Sequence, residues 1–204
     1  MTRSRALLLA AAMLAVPQAA QAHLVVTGMG PVYDGISHFG FSPEDYLPVA
    51  VLGFFAGLRG ARASRLALLS LSTGWIAGGW IAMLGLALPP IATSFATAGL
   101  FLAIGGLLAA DLNIPALAGA ALAAALGLVR GAADMASVSA SVGHGLTLIG
   151  MSASVFVVLA IAASVTLPLQ RAWMVIAARV SGSWLAALGL LLVGWIARYG
   201  AVIR

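Results

Sequence analysis

The sequence predicts an all-α, polytopic transmembrane helical bundle with about six spans after a cleaved signal peptide. Three observations lead to this fold class. Of the 204 residues, 63% are apolar and only 7% are charged, whereas about a quarter of the residues of a soluble domain carry a charge. The first residues have the pattern of a secretory signal. Long apolar stretches rich in Gly and Ala then follow, separated by short segments that contain Pro or Arg.

Residues 1–22 form the predicted signal peptide. Arg3 and Arg5 precede an apolar run over residues 6–16, and Ala20-Gln21-Ala22 is a typical cleavage site. Cleavage after Ala22 would leave His23 as the mature N-terminus, where the amine and the imidazole of one residue could chelate a metal together. The alternative is that His23 merely follows a processing site.

Residues 23–45 are predicted to be a polar periplasmic segment, and residues 46–204 the transmembrane helical domain. The polar segment contains three of the five acids and two of the three His. Pro31 fits a first helical position and Gly40 a helix stop, which predicts a short helix over residues 31–39. A second helix is expected to begin near Pro43, with Ser42 as its N-cap and Asp45 at the capping-box position.

The predicted spans cover about residues 46–58, 66–88, 93–110, 115–129, 145–167 and 173–196. Arg59, Arg62 and Arg65 crowd the first connection, and the positive-inside rule places such a loop in the cytoplasm. This orientation agrees with an N-terminus that is exported by a signal peptide. We therefore expect a multi-pass protein of the bacterial inner membrane whose mature N-terminus is periplasmic, with residues 130–141 forming an outer connection.

Composition excludes several classes of function. The chain has no Cys, so thiolate metal sites and Cys nucleophiles are ruled out. Its Arg residues are scattered and lack the interleaved aromatic residues of a nucleic-acid surface. No nucleophile motif, phosphate loop or catalytic carboxylate pair can be assembled from so few polar residues. We therefore expect neither an enzyme nor an organic cofactor.

The first candidate site is Asp34-Gly35-Ile36-Ser37-His38 in the polar segment. A spacing of four places Asp34 and His38 on one face of a helix. Carboxylate oxygen together with imidazole nitrogen suits a first-row divalent ion such as Ni²⁺, Co²⁺ or Zn²⁺. The same spacing also fits a solvated Asp–His pair or a capping interaction.

The second candidate site comprises Arg130, Asp134 and His144, which lie in or beside apolar stretches. Ionisable groups at membrane depth are costly, and they usually face a partner or a cavity. Arg130 and Asp134 are four residues apart and can neutralise each other. His144 lies between two glycines, where a ligand could approach, although a neighbouring helix could equally satisfy its ring.

In these features the chain resembles the HupE/UreJ family, small membrane proteins associated with hydrogenase and urease maturation and regarded as nickel or cobalt permeases. The resemblance rests on a signal that ends before His23, on the Asp34 to His38 motif, on about six Gly/Ala-rich spans and on the length of the chain. It implies that Asp34 and His38 bind the metal. The family's later Leu-His-Gly motif differs here, because Arg130 replaces the His.

The resemblance and the residues together predict a permease or binding protein for a divalent transition metal. Nickel or cobalt is the expected substrate, with zinc and copper as further candidates. Asp34, His38 and His23 would capture the ion at the outer mouth, and His144 and Asp134 would receive it deeper. Two alternatives are a non-transporting subunit that docks a partner through its N-terminal segment, and a permease for an organic solute. The lipid bilayer is an expected partner. The sequence leaves open whether the protein forms a homo-oligomer or binds a membrane partner.

Overall fold

The computed structural model describes residues 27–138, 143–166 and 172–199, and the regular secondary structure within these ranges is entirely α-helical. The predicted fold class is therefore confirmed. The helices are α1 (Pro31–Phe41), α2 (Pro43–Leu58), α3 (Ala61–Met83), α4 (Pro90–Ala109), α5 (Ala116–Ser137), α6 (His144–Thr166) and α7 (Ala172–Tyr199). The signal peptide and His23 lie outside the described residues.

Five of the described helices, α3 to α7, are long and apolar enough to cross a membrane. The remaining apolar helix, α2, has 16 residues, about 24 Å at a rise of about 1.5 Å per residue, and is shorter than a typical span. It is nevertheless the central element, because it packs against all six other described helices. Val49 and Leu52 on α2 are almost completely buried. The chain is thus a multi-pass membrane protein built around a short central helix.

Helices α1 and α2 are two halves of a broken helix that ends and restarts at Ser42. Pro43 lacks an amide hydrogen and disfavours helical geometry in the residue before it. Ser42 is accordingly extended, with φ −101° and ψ 94°. The predicted helix starts at Pro31 and Pro43 are both confirmed.

The two halves lie one after the other along α6. Gly35 of α1 contacts the backbone of α6 at Thr147, whereas Gly57 of α2 contacts it at Ala163. Residues on both sides of the break line a cavity with Ala153 and Val158 of α6. The broken helix therefore runs in the same direction as α6, and its break lies beside the middle of that membrane-length helix.

Helices α3 and α5 form the closest pair in the bundle. A β-carbon on Gly74 of α3 would lie 2.5 Å from the carbonyl oxygen of Ala124, and one on Gly131 of α5 would collide with the backbone of Trp75. Glycines one turn apart permit this approach between membrane helices. As a result, the polar end of α5 is held against the core of the bundle.

The predicted end of the fourth span was wrong. We expected it to end at residue 129 and to be followed by an outer connection, but α5 continues to Ser137. Arg130 and Asp134 lie within this helix and pair with each other one turn apart. Their charges therefore do not end the helix.

Candidate metal-binding site

Three side chains that can bind a metal ion converge in the core of the bundle. They are His38 near the end of α1, Asp45 in the first turn of α2 and Asp134 near the end of α5. One ligand atom from each lies within 4.8 Å of the others. The exposed fractions of these residues are 9%, 0% and 4% respectively. Among the described residues, this is the only group of three or more such side chains.

The break between α1 and α2 brings His38 and Asp45 together. The Ser42 hydroxyl donates a hydrogen bond of 2.7 Å to the His38 carbonyl oxygen, and the Asp45 amide donates one of 2.9 Å to the Ser42 carbonyl oxygen. Ser42 thus connects the end of one half-helix to the start of the other. Ser42 is the N-cap residue of α2, as predicted, although its hydroxyl makes no capping hydrogen bond, and Asp45 is buried in the bundle.

Arg130 lies between the two carboxylates of the cluster. Its Nε donates to Asp45 Oδ1 at 2.7 Å, and its Nη2 donates to Asp134 Oδ1 at 3.0 Å. The Arg130 side chain is only 11% exposed. The second oxygen of each carboxylate, Oδ2, is buried without a hydrogen-bond partner. Buried unpaired acceptors are costly, so these two oxygens are candidate ligands for a cation.

Aromatic side chains pack beside the cluster. The ring of Phe39, the residue after His38, meets the Trp75 ring edge-on, with centroids 5.8 Å apart and planes at 72°. Both residues are buried. These buried rings make the core next to His38 apolar, and electrostatic interactions between charged groups are stronger in apolar surroundings than in water.

A cavity of about 370 Å³ adjoins Arg130 on the side of α4. It lies between the start of α4 and the last turns of α5, and its polar lining residues are Thr93, Ser94, Arg130 and Ser137. The other residues that line it are apolar. This cavity gives the buried charges a polar neighbourhood at the end of the bundle where α5 terminates.

The structure brings two of the predicted site residues, His38 and Asp134, into one cluster. Asp34 lies outside it, and its Oδ1 accepts hydrogen bonds from the Thr27 hydroxyl at 2.7 Å and the Thr27 amide at 2.6 Å. These bonds hold the pKa of Asp34 below its usual range. The metal-binding role of Asp34 stays a prediction, as does that of His23.

His144 is half-buried and also lies apart from the cluster. Its Nε2 is 3.0 Å from the Val138 carbonyl oxygen, so a neighbouring backbone group satisfies the ring. His144 lines a different cavity, of about 740 Å³, together with Ser72 and Trp80 of α3. Its predicted role in passing the ion inward remains untested.

Sequence reasoning missed Asp45, which it assigned to helix capping. One signal could have found it: Asp45 is the last acid before a long apolar stretch, and buried acids require a cation. Arg130 is one of the few arginines that lie within apolar stretches, so its pairing with Asp45 could have been considered from the sequence.

A polytopic helical membrane protein with a buried His–carboxylate cluster is the class that this fold and site define. Residues 11–192 match the family model described as HupE / UreJ protein. The chain belongs to the HupE/UreJ family, which is related to nickel and cobalt transport. No curated protein and no solved structure matches the chain.

Proposed function

We propose that this protein is an inner-membrane permease for a divalent transition metal, with nickel or cobalt as its cargo. Family membership supports a role in metal transport. The observation that carries the proposal is the convergence of His38, Asp45 and Asp134 within 4.8 Å in the bundle core. One imidazole nitrogen with carboxylate oxygens is a ligand set that suits Ni²⁺, Co²⁺ and Zn²⁺.

In this proposal the ion binds the His38 ring and the unpaired Oδ2 atoms of Asp45 and Asp134. Three protein ligands leave positions in the coordination sphere for water, so the ion can be released without breaking a closed cage. Asp34 and His23 would recruit the ion ahead of this cluster, and His144 would act after it. The mature N-terminus would face the periplasm, and the chain would act as a transporter and not as an enzyme.

The test is metal binding by the full chain purified in mild detergent, measured by calorimetry with Ni²⁺, Co²⁺ and Zn²⁺. His38→Ala removes the nitrogen ligand and is expected to weaken binding at least about tenfold. His144→Ala is the comparison variant for binding, because that ring lies outside the cluster and is proposed to act only after the ion has bound there, so its effect should appear in uptake and not in affinity. Both variants should be compared with wild type for uptake in metal-starved cells.

Three outcomes separate the candidate functions. Wild-type protein that binds none of these ions above the detergent background would overturn the proposal. Binding that is unchanged in His38→Ala would place the site elsewhere. Binding that depends on His38 but is not accompanied by uptake would favour the alternative of a non-transporting membrane subunit.

A further inference from the structure

We propose that Arg130 is an internal counter-ion that competes with the metal ion for Asp45 and Asp134, and thereby keeps the affinity of the site low enough for the ion to be released. This inference rests on the proposed function, because it concerns the same site. It makes Arg130 a residue that sets affinity and transport rate, although it cannot itself bind a metal ion, since an arginine side chain has donors and no acceptor.

The charges of the buried groups give the first argument. If both carboxylates are ionised, Asp45 and Asp134 together carry two negative charges, and the guanidinium of Arg130, which lies between them, supplies one positive charge. A dication that entered while Arg130 stayed in place would leave this buried group with a net positive charge. If Arg130 withdraws, the same dication neutralises both carboxylates. The next acid, Glu44, is exposed, so its charge is screened more strongly than those of the buried pair.

The distances give the second argument. The guanidinium donates to Oδ1 of both carboxylates, at 2.7 Å and 3.0 Å. The ligand atoms of the candidate metal site belong to these same two carboxylates and lie within 4.8 Å of one another. A metal ion and the guanidinium would therefore be only a few ångströms apart in a poorly solvated core. Repulsion between like charges is strong under these conditions.

The neighbouring cavity gives the third argument, because it offers the guanidinium a place to go. It has a volume of about 370 Å³ and is lined by Arg130 itself. Ser94 and Ser137, which also line it, each donate their hydroxyl hydrogen to a backbone carbonyl. The oxygen of each hydroxyl can still accept a hydrogen bond. The cavity thus provides acceptors for a guanidinium that has left the carboxylates.

The experiment compares Arg130→Gln, Arg130→Lys and wild type for cobalt and nickel binding by calorimetry, using the full chain in detergent. Gln removes the charge but keeps a hydrogen-bond donor, whereas Lys keeps the charge and loses the planar fork. We expect Arg130→Gln to bind at least about tenfold more tightly and Arg130→Lys to bind within about threefold of wild type. The control, Arg62→Gln, removes the same charge from an exposed position and should bind like wild type.

Uptake provides a second readout that a merely structural role would not produce. A tighter site releases its ion more slowly, so Arg130→Gln should saturate at lower metal concentration and show a lower maximal uptake rate. Binding by Arg130→Gln that is equal to or weaker than that of wild type would overturn the inference. If the glutamine variant cannot be purified, Arg130→Lys tests the inference. A change in its metal affinity of more than about tenfold would show that the positive charge at this position does not set the affinity.

The design also separates this inference from the proposed function. If wild type binds no ion, the permease proposal fails. In that case, binding gained by Arg130→Gln would still support Arg130 as the competing cation. If neither wild type nor Arg130→Gln binds an ion, both proposals are overturned.

Discussion

Arg130 Nε lies 2.7 Å from Asp45 Oδ1, although 85 residues separate the two in sequence. This contact joins the central helix α2 to the end of α5. It also explains how the completely buried carboxylate of Asp45 is accommodated in an apolar bundle. The carboxylate and the guanidinium each offset part of the free-energy cost of burying the other. The candidate site is therefore a product of tertiary packing between two distant segments.

Asp45→Asn should weaken nickel and cobalt binding at least about tenfold, since it removes a ligand charge while nearly preserving shape. Asp34→Asn is the comparison variant, because Asp34 lies on the neighbouring half-helix outside the cluster and is proposed only to recruit the ion, so its loss of affinity should be smaller than that of Asp45→Asn. Calorimetry on both variants checks the prediction. An equal loss of affinity in Asp34→Asn would instead place the site at the start of α1.

Gly131→Ala should lower the thermal unfolding midpoint of the protein in detergent, because the added methyl group would collide with the backbone of Trp75. Overpacking of this kind costs about 1–3 kcal/mol. The control is Gly106→Ala, at a helical glycine with nothing within 4 Å of an added β-carbon. If both variants unfold at the same temperature, the close contact between α3 and α5 is not required for stability.

The orientation of the bundle can be measured with single cysteines, since the natural chain contains none. Arg62 is exposed at the start of α3, and Leu88 is 56% exposed before α4. With the arginine-rich connection in the cytoplasm, a membrane-impermeant maleimide added to intact spheroplasts should label Leu88→Cys and spare Arg62→Cys. The opposite labelling pattern would invert the topology.

Processing of the N-terminus should remove residues 1–22 and leave His23 first. The intact mass of protein extracted from membranes measures this directly. Retention of Met1 or Thr2 would contradict the signal-peptide prediction. His23 would then carry no terminal amine and could not chelate a metal ion through amine and imidazole together.

The fold class was predictable because it depends on composition and hydrophobic length, which are properties of the sequence itself. The two proline-initiated helices were predictable for a similar reason, since Pro31 and Pro43 act on their immediate neighbours. The end of α5 was not predicted, because a charged residue such as Arg130 within an apolar stretch indicates the end of a membrane span unless the group that neutralises its charge is known. That group includes Asp45, which is distant in sequence.

The candidate site was only partly predictable. His38 and Asp134 were identified as ionisable groups in unusual surroundings, but they were assigned to two separate positions along the ion path. The break at Ser42 and the close packing of α3 on α5 bring them together. Asp45 was missed because a local pattern, the helix cap, gave it a sufficient role. Local patterns cannot show that a capping position is buried by another helix.

Because the helix is broken at Ser42, the proposed ion binding would change how rigidly its two halves are connected. Its two halves are anchored on α6 separately, α1 through Gly35 and α2 through Gly57, and they contribute candidate ligands to the cluster from opposite sides of the break. An ion held by His38, Asp45 and Asp134 would act as a cross-link between α1, α2 and α5. Loading would stiffen the junction at Ser42, and unloading would let the two half-helices move independently of each other.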